Sequence, residues 1–340
     1  MKQIWITQYG EPERMQLRES PDPIPAAGEV RIRVEACGVS FADVMGRLGL
    51  ATSGIGTTLP FAPGLEVAGT VDLVGQGVPD TKEGDTVFAF VRFGGYSDVV
   101  CVPHQQVFKR WQWMSAEQGA ALPLSYLLAY QMLIVMGSLR SGDTVLIHGA
   151  AGSVGLAALD VCNIVGATTF GTASPPKHAF LQERGLDYPI DYRNRDYERL
   201  INDLTAGRGV QVILDSLGGR HWQKNYRLLR TTGRLIHFGT SSAALGKKRS
   251  WYSSLLLRVR VPFYTPFQLM ADNKAVMGVD WQQLWQQLPL QREWMRQIIN
   301  WYDEALFRPH IDRTFRLEQV AAAHHYLQDR ENTGKVLLIP

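Results

Sequence analysis

The chain has 340 residues, 45% hydrophobic and 20% charged, with a net charge of +3. That length exceeds one ordinary core and implies about two domains. The near-neutral charge, spread along the chain, excludes a nucleic-acid footprint, and no apolar run reaches the roughly 18 residues of a membrane span.

The opening stretch, "MKQIWITQYGEPERM", lacks the apolar core of a secretory signal. Cys37, Cys101 and Cys162 are far apart and sit among apolar neighbours, with no C-x-x-C spacing. They read as buried reduced thiols of a cytoplasmic protein.

Residues 1–122 are predicted to be β-rich. "EVRIRVEACGV" alternates with period two from Val30 to Val34, and "GLEVAGTVDLVGQGV" and "GDTVFAF" follow between Gly, Pro and Asp turn signals. Many short strands with glycine corners point to a small barrel or sandwich. From Pro123 the rhythm changes, and "LPLSYLLAYQMLIVMGSL" is long and apolar enough for a buried helix. Then strands at 144–148, 168–173, 210–215 and 233–239 alternate with helices at 153–165, 176–184, 196–205 and 221–229. Such alternation builds a doubly wound parallel sheet. Helices near 291–306 and 317–329 and a closing strand "KVLLIP" complete the chain.

The stretch "VLIHGAAGSVGLAALDV", 145–161, turns a strand into a helix through small residues. Free backbone N–H groups and the positive end of a helix dipole make an anion site there. In the dinucleotide fingerprint one small residue makes the turn, one admits the pyrophosphate and one lets helix pack on strand. Those positions fall on Ala150, Gly152 and Gly155, and Ala151, Ser153 and Val154 complete the turn. About 20 residues on, an NAD site would place an acidic side chain. "FGTASPPKHAF" has none; it offers Thr172, Ser174 and Lys177. A carboxylate would repel a 2′-phosphate, whereas a hydroxyl and an ammonium would hold it, so the expected cofactor is NADPH.

Four stretches, "HGAAGSVG", "DSLGG" at 215–219, "GVSFADVMGRLGL" at 38–50 and "PGLEVAGTV" at 63–71, resemble the quinone oxidoreductase branch of the medium-chain dehydrogenases/reductases. "GTASPPKH", "PIDYRNRDY" and "NKAVMGV" look closest to the vesicle amine transport protein subgroup. The likeness runs nearly end to end. It implies an α/β protein in which a GroES-like, β-rich catalytic domain (1–122, completed by 281–340) surrounds a Rossmann domain (123–280, with an insert at 246–273). It also implies NADPH-dependent reduction of quinones or carbonyl-activated double bonds, in a homodimer. Tyr192 matches a family tyrosine beside the adenosine ribose phosphate. By the same likeness Ser216, Phe238, Gly239 and Thr240 lie along the cofactor, and the backbone near Phe238 holds the carboxamide.

The zinc alcohol dehydrogenases of the wider superfamily have a ligand cysteine where this chain has Ser40, and a ligand histidine where it has Leu65. Glu66 remains, but one carboxylate cannot replace three protein ligands. Three cysteines also cannot supply the four of the structural zinc site, so no metal is expected. Relative to other quinone reductases, two tyrosines fall at Met45 and Ala51, a threonine at Leu128 and an asparagine at Ser40. The pocket should be apolar and poor in hydroxyls. Ser40 and Asp43 are the polar groups expected to face the substrate, a small apolar quinone or enone.

Residues 247–270 mix aromatics, leucines and cations, with Pro262 and Pro266 breaking any long helix. Three readings stand: a lid, a subunit contact, or a peripheral membrane patch. Besides the reductase, an NADPH-binding adaptor of low activity and a metabolite-tailoring reductase fit the residues.

Overall fold

The computed structural model describes residues 1–50, 58–244 and 261–340. The insert residues 247–260 and the tyrosine position at Ala51 lie outside the described residues.

A hairpin, β1 (Lys2–Ile6) with β2 (Met15–Glu19), opens the chain. β3 (Glu29–Val39), β4 (Glu66–Val74), β5 (Thr86–Phe90), β6 (Val99–Pro103) and β7 (Val107–Lys109) follow, antiparallel. The alternation read from Val30 to Val34 has its physical basis here. Val30, Ile32 and Val34 are buried, while Arg31 and Arg33 on the other face both reach Asp72 of β4. Two short helices leave this region, α1 (Phe41–Leu48) and α2 (Ala116–Ala121).

The apolar run after Pro123 is not one regular helix. It starts as α3 (Pro123–Tyr130) and continues as a π-helical turn, Gln131–Met136. The second half follows as β8 (Thr144–His148), α4 (Ser153–Val165), β9 (Thr168–Ala173), α5 (His178–Glu183) and β10 (Tyr188–Asp191). Then come α6 (Tyr197–Leu204), β11 (Val210–Asp215), α7 (His221–Leu228), β12 (Leu229–His237) and β13 (Ala275–Gly278). These strands form a parallel sheet in the order β10-β9-β8-β11-β12-β13. Its central strands carry apolar runs because helices cover both faces; Val145, Leu146 and Ile147 of β8 are all buried, as are Val212, Ile213 and Leu214 of β11. The predicted strands and helices of this half are present with small shifts at their ends, and the edge strands β10 and β13 were not anticipated.

After the helix Leu288–Asp303 the chain returns to the first sheet. β14 (Ile311–Arg316) and β15 (Lys335–Ile339) join it in the order β14-β15-β3-β4-β5-β7, with the helix Val320–Gln328 between them. Residues at both ends of the chain thus share one sheet. The largest core runs across the boundary between the sheets, with Leu65 and Phe88 in one cluster with Leu124, Leu128 and Ile147. Cys37 and Cys162 are buried as expected, but Cys101 is only half-buried.

Candidate functional site

A cleft of about 1550 Å³ lies where the carboxyl ends of the parallel strands face α1 and α3. It collects all but two of the side chains named from the sequence.

Its floor is the β8–α4 turn. Gly149, at φ 67°, makes the sharp turn, a role assigned from the sequence to Ala150. Ala150 is instead fully buried beneath the turn, where its N–H donates to the Thr172 carbonyl at 3.1 Å. A Cβ on Gly155 would stand 2.4 Å from the Gly149 carbonyl oxygen, so this glycine lets helix pack against strand. Gly152 differs. A Cβ there would meet only the Gly149 oxygen, at 3.4 Å. The protein's own packing leaves that space open, which is what an approaching pyrophosphate requires. No side chain caps the start of α4 and no acidic residue sits in its first turn. The Gly152 N–H is taken by the Gly149 carbonyl at 2.9 Å, so Ser153 and Val154 offer backbone N–H groups and the helix dipole to an anion. Ala151 and Gly155 line the same floor.

At the end of β9, Thr172 and Ser174 line the cleft with Lys177 and Tyr192. The Thr172 hydroxyl accepts from the Gly149 N–H at 3.1 Å. The Lys177 ammonium donates to the carbonyls of Arg330, at 2.8 Å, and of Asn332. Burial holds its pKa below the ordinary lysine value. Burial raises the Tyr192 hydroxyl, but hydrogen bonds from Arg330 and Arg193 outweigh it and leave the pKa below the usual value. Arg330 lines the cleft and was missed by sequence reasoning. It belongs to the loop before β15, whose Gly334 N–H donates to the Ala151 carbonyl at 2.8 Å. Nothing local in "DRENTGK" marks that long-range contact.

Beyond β11 and β12 the wall comprises Ser216, Phe238, Gly239 and Thr240. The Ser216 hydroxyl donates to the His148 carbonyl at 3.2 Å, tying this wall to the glycine turn. A Cβ on Gly239 would press on the Ser216 carbonyl at 3.1 Å. His237, also on the cleft, bonds the buried Asp215 at 3.1 Å.

The opposite wall is apolar, as expected, with Phe41, Met45, Leu124 and Leu128. Two features were not expected: Gln131 from the π-turn, and Trp281 and Gln282 from the 3-10 helix Trp281–Gln286. Ser40 lines the cleft, but Asp43 does not face a substrate; it is 1% exposed. Its carboxylate is consumed by the fold. It accepts from the Ser40 N–H (2.9 Å), the Ser40 hydroxyl (2.7 Å), the Gly64 N–H (2.9 Å) and the Tyr96 hydroxyl (3.1 Å). Together Ser40 and Asp43 form the capping box of α1. Asp43 is therefore a positioning residue.

The chain of partners continues inward. The Arg47 Nε–H points at His324 Nδ1 at 3.3 Å, and His324 Nε2 meets the Tyr96 hydroxyl at 3.2 Å. Arginine can only donate. Nδ1 must then accept, the imidazole proton sits on Nε2, and the Tyr96 proton turns toward Asp43. Every hydrogen in the chain points at that carboxylate. The Ser40 proton is committed to it too, so Ser40 shows the cleft an acceptor.

Glu66 is fully buried in an ion pair with Lys335, and it also accepts from the Leu124 N–H at 2.8 Å. Its job is to join β4, β15 and the start of α3. Among the described residues no three His, Cys, Asp or Glu side chains stand together as metal ligands.

An anion-binding turn on the carboxyl edge of a parallel sheet, closed by an apolar wall from a second sheet, is the build of a two-domain nicotinamide-dependent oxidoreductase. Comparison with known proteins narrows the class. The family model for the alcohol dehydrogenase GroES-like domain matches residues 26–112, and that for zinc-binding dehydrogenases matches 184–338. Over 338 residues the chain is 38% identical to the synaptic vesicle membrane protein VAT-1 homolog of Rattus norvegicus, spanning 98% of this chain and 83% of that protein. It is 31% identical over 313 residues to quinone oxidoreductase-like protein 2 of Bos taurus, spanning 91% and 84%. The Escherichia coli quinone oxidoreductase complexed with NADPH superposes with a TM-score of 0.88 at 27% identity, over 100% of both chains. The CurK enoyl reductase does so at 0.84 and 28%, over 99% and 98%. The chain belongs to the medium-chain dehydrogenase/reductase superfamily, in the zinc-independent quinone oxidoreductase branch near the VAT-1 homologues. Its GroES-like and Rossmann folds are those its motifs implied.

Proposed function

We propose that this oxidoreductase is an NADPH-dependent, zinc-independent reductase of quinones or other carbonyl-activated double bonds. The observation that carries the reading is the end of β9, where Lys177, Tyr192 and Arg330 gather with no carboxylate among the cleft residues of that strand. A 2′-phosphate fits that set and a bare ribose does not need it. Ser153 and Val154, beside the space that Gly152 leaves open, would hold the pyrophosphate, and the backbone at Phe238 and Gly239 would meet the nicotinamide end. NADPH, when bound, supplies the hydride. The chain's own work is placement: Phe41, Met45, Leu128 and Trp281 hold a flat acceptor and exclude water. Because Ser40 gives its proton to Asp43, a reduced quinone takes its protons from water.

The test is NADPH oxidation against a panel of quinones and enones, with NADPH and NADH binding measured in parallel. Lys177→Ala should weaken NADPH about 10-fold or more, the value of one charge-assisted contact, and leave NADH nearly unchanged. Equal losses would overturn the cofactor assignment. NADPH binding without turnover of any acceptor would favour an adaptor instead.

A second copy of the chain is the partner we propose. Among the described residues β13 pairs with β12 alone and its other edge has no partner strand, and in the segment before it Phe263, Phe267 and Met270 are 86%, 81% and 68% exposed. An open edge flanked by apolar side chains invites strand pairing. No described helix is long and apolar enough to cross a membrane. A monomer in solution that binds anionic vesicles through these side chains would replace the dimer with a membrane contact.

A further inference from the structure

Gln131 opens the π-turn that extends α3 and lines the cleft one helical turn beyond Leu128, about 5 Å further along the wall. π-turns interrupt the regular ladder and occur often at functional sites. The amide is poorly satisfied. Its Nε2 reaches only the Met136 sulfur, at 3.9 Å, and its Oε1 is shielded from solvent without a hydrogen-bond partner. Flipping the amide does not help, because the thioether sulfur has no proton to donate and Nε2 would then be the orphan. A leucine would suit this apolar wall better, so the amide has no reason to be there that folding supplies.

The surroundings limit what could pair with it. The segments that form this wall, α1, α3 with its π-turn, and 278–287, give the cleft one ionisable side chain among the described residues, Asp280. Its carboxylate already accepts from the Gln282 N–H at 3.0 Å, capping the 3-10 helix. Phe41, Ala42, Met45, Leu124 and Leu128 make the wall apolar around Gln131, and the polar groups of 278–287, Gln282, Gln283 and Gln287, are neutral amides. A charged acceptor would lose its hydration here and meet neutral amides and one carboxylate, with no cation from these segments among the described residues to pair an anion.

We propose that Gln131 is a specificity-determining residue: the acceptor is a flat, uncharged molecule with a hydroxyl, carbonyl or amide on the end away from its reducible bond, and Gln131 pairs with that group. Rotation about the Gln131 side-chain torsions turns the amide into the cleft, trading an unsatisfied contact for a satisfied one. This deepens the reductase reading and rests on it.

The experiment uses two probes, naphthoquinone and a derivative hydroxylated on the ring distal to its carbonyls. Each is titrated calorimetrically into the protein with the oxidised cofactor bound, and each is assayed for turnover. The wild type should bind the hydroxylated probe more tightly. Gln131→Met, which keeps the volume, should cut that affinity about 10-fold, the value of one buried hydrogen bond. The loss should fall on KM, with affinity for the parent and for NADPH unchanged. Gln131→Asn, with the amide retained on a shorter stem, should recover part of the preference. Equal changes for the two probes, or an unchanged ratio, would overturn the proposal. If neither probe is turned over but the binding preference depends on Gln131, the reductase reading fails and the ligand preference stands. A thermal unfolding curve for each variant separates these outcomes from a folding defect.

Discussion

His324 has its tautomer chosen by Arg47, and the choice propagates through Tyr96 to Asp43 and Ser40. Burial holds Arg47 itself down to about 10. Desolvation likewise holds His148 below and His324 well below the ordinary histidine value, and it is the main cause that holds His221 at about 4. The unfolded chain takes up protons on these rings below about pH 6.5, whereas in the native chain all three take them up at lower pH, His324 and His221 well below it. The unfolded state therefore binds more protons in this window, and stability falls as pH drops from about 6.5 toward 4. Urea unfolding at successive pH values should show that decline, and His221→Gln should flatten it; an unchanged slope would mean another group dominates. Ser40, Asp43 and Lys177 could be picked out by eye, yet their partners could not. Arg47 and His324 are 277 positions apart, and no local pattern reports that they touch. Asp43 was misplaced for the same reason: a carboxylate in a capping box and one aimed at a substrate look alike until Tyr96 and Gly64 are in position.

The β8–α4 element holds two glycines that do different work. Gly155→Ala drives a methyl into the Gly149 carbonyl and the Ala150 Cα, at 2.4 and 2.7 Å. Overpacking of that kind costs about 1–3 kcal/mol, so the melting temperature should fall. Gly152→Ala meets far less and should leave stability within about 0.5 kcal/mol, while NADPH affinity falls at least about 10-fold because the methyl occupies the anion's place. Thermal unfolding beside a cofactor titration separates the two; parallel behaviour would remove Gly152 from the anion site. This element was legible almost to its ends, since an apolar strand, a glycine turn and an apolar helix are neighbours in sequence. β10 and β13 were not. Each has four residues, β10 contains Pro189, and each exists only because β9 or β12 offers it an edge.

Across the whole molecule, Glu66 and Lys335 fasten the N-terminal and C-terminal parts of the first sheet, with the Leu124 N–H as third partner. Burial pushes the Glu66 carboxyl pKa up, against the pull of Lys335. Lys335→Met would leave that carboxylate unpaired, at a cost of about 3–5 kcal/mol. Adding Glu66→Gln should restore much of the loss, because an amide is cheaper to bury than a lone charge. Strictly additive losses in urea unfolding would show that the pair is not coupled. Composition, strand and helix periods and the glycine turn determined the two-part architecture and the cofactor floor without reference to any contact, since each depends on residues within a few positions of one another. Only the tertiary structure decided that Arg330 and Gly334 reach the glycine turn from the last loop, that Glu66 is a fastener, and that Gln131 stands on an apolar wall. Those outcomes depend on which distant groups become neighbours after water is excluded, and a buried charge or amide takes its meaning from the partner it finds there.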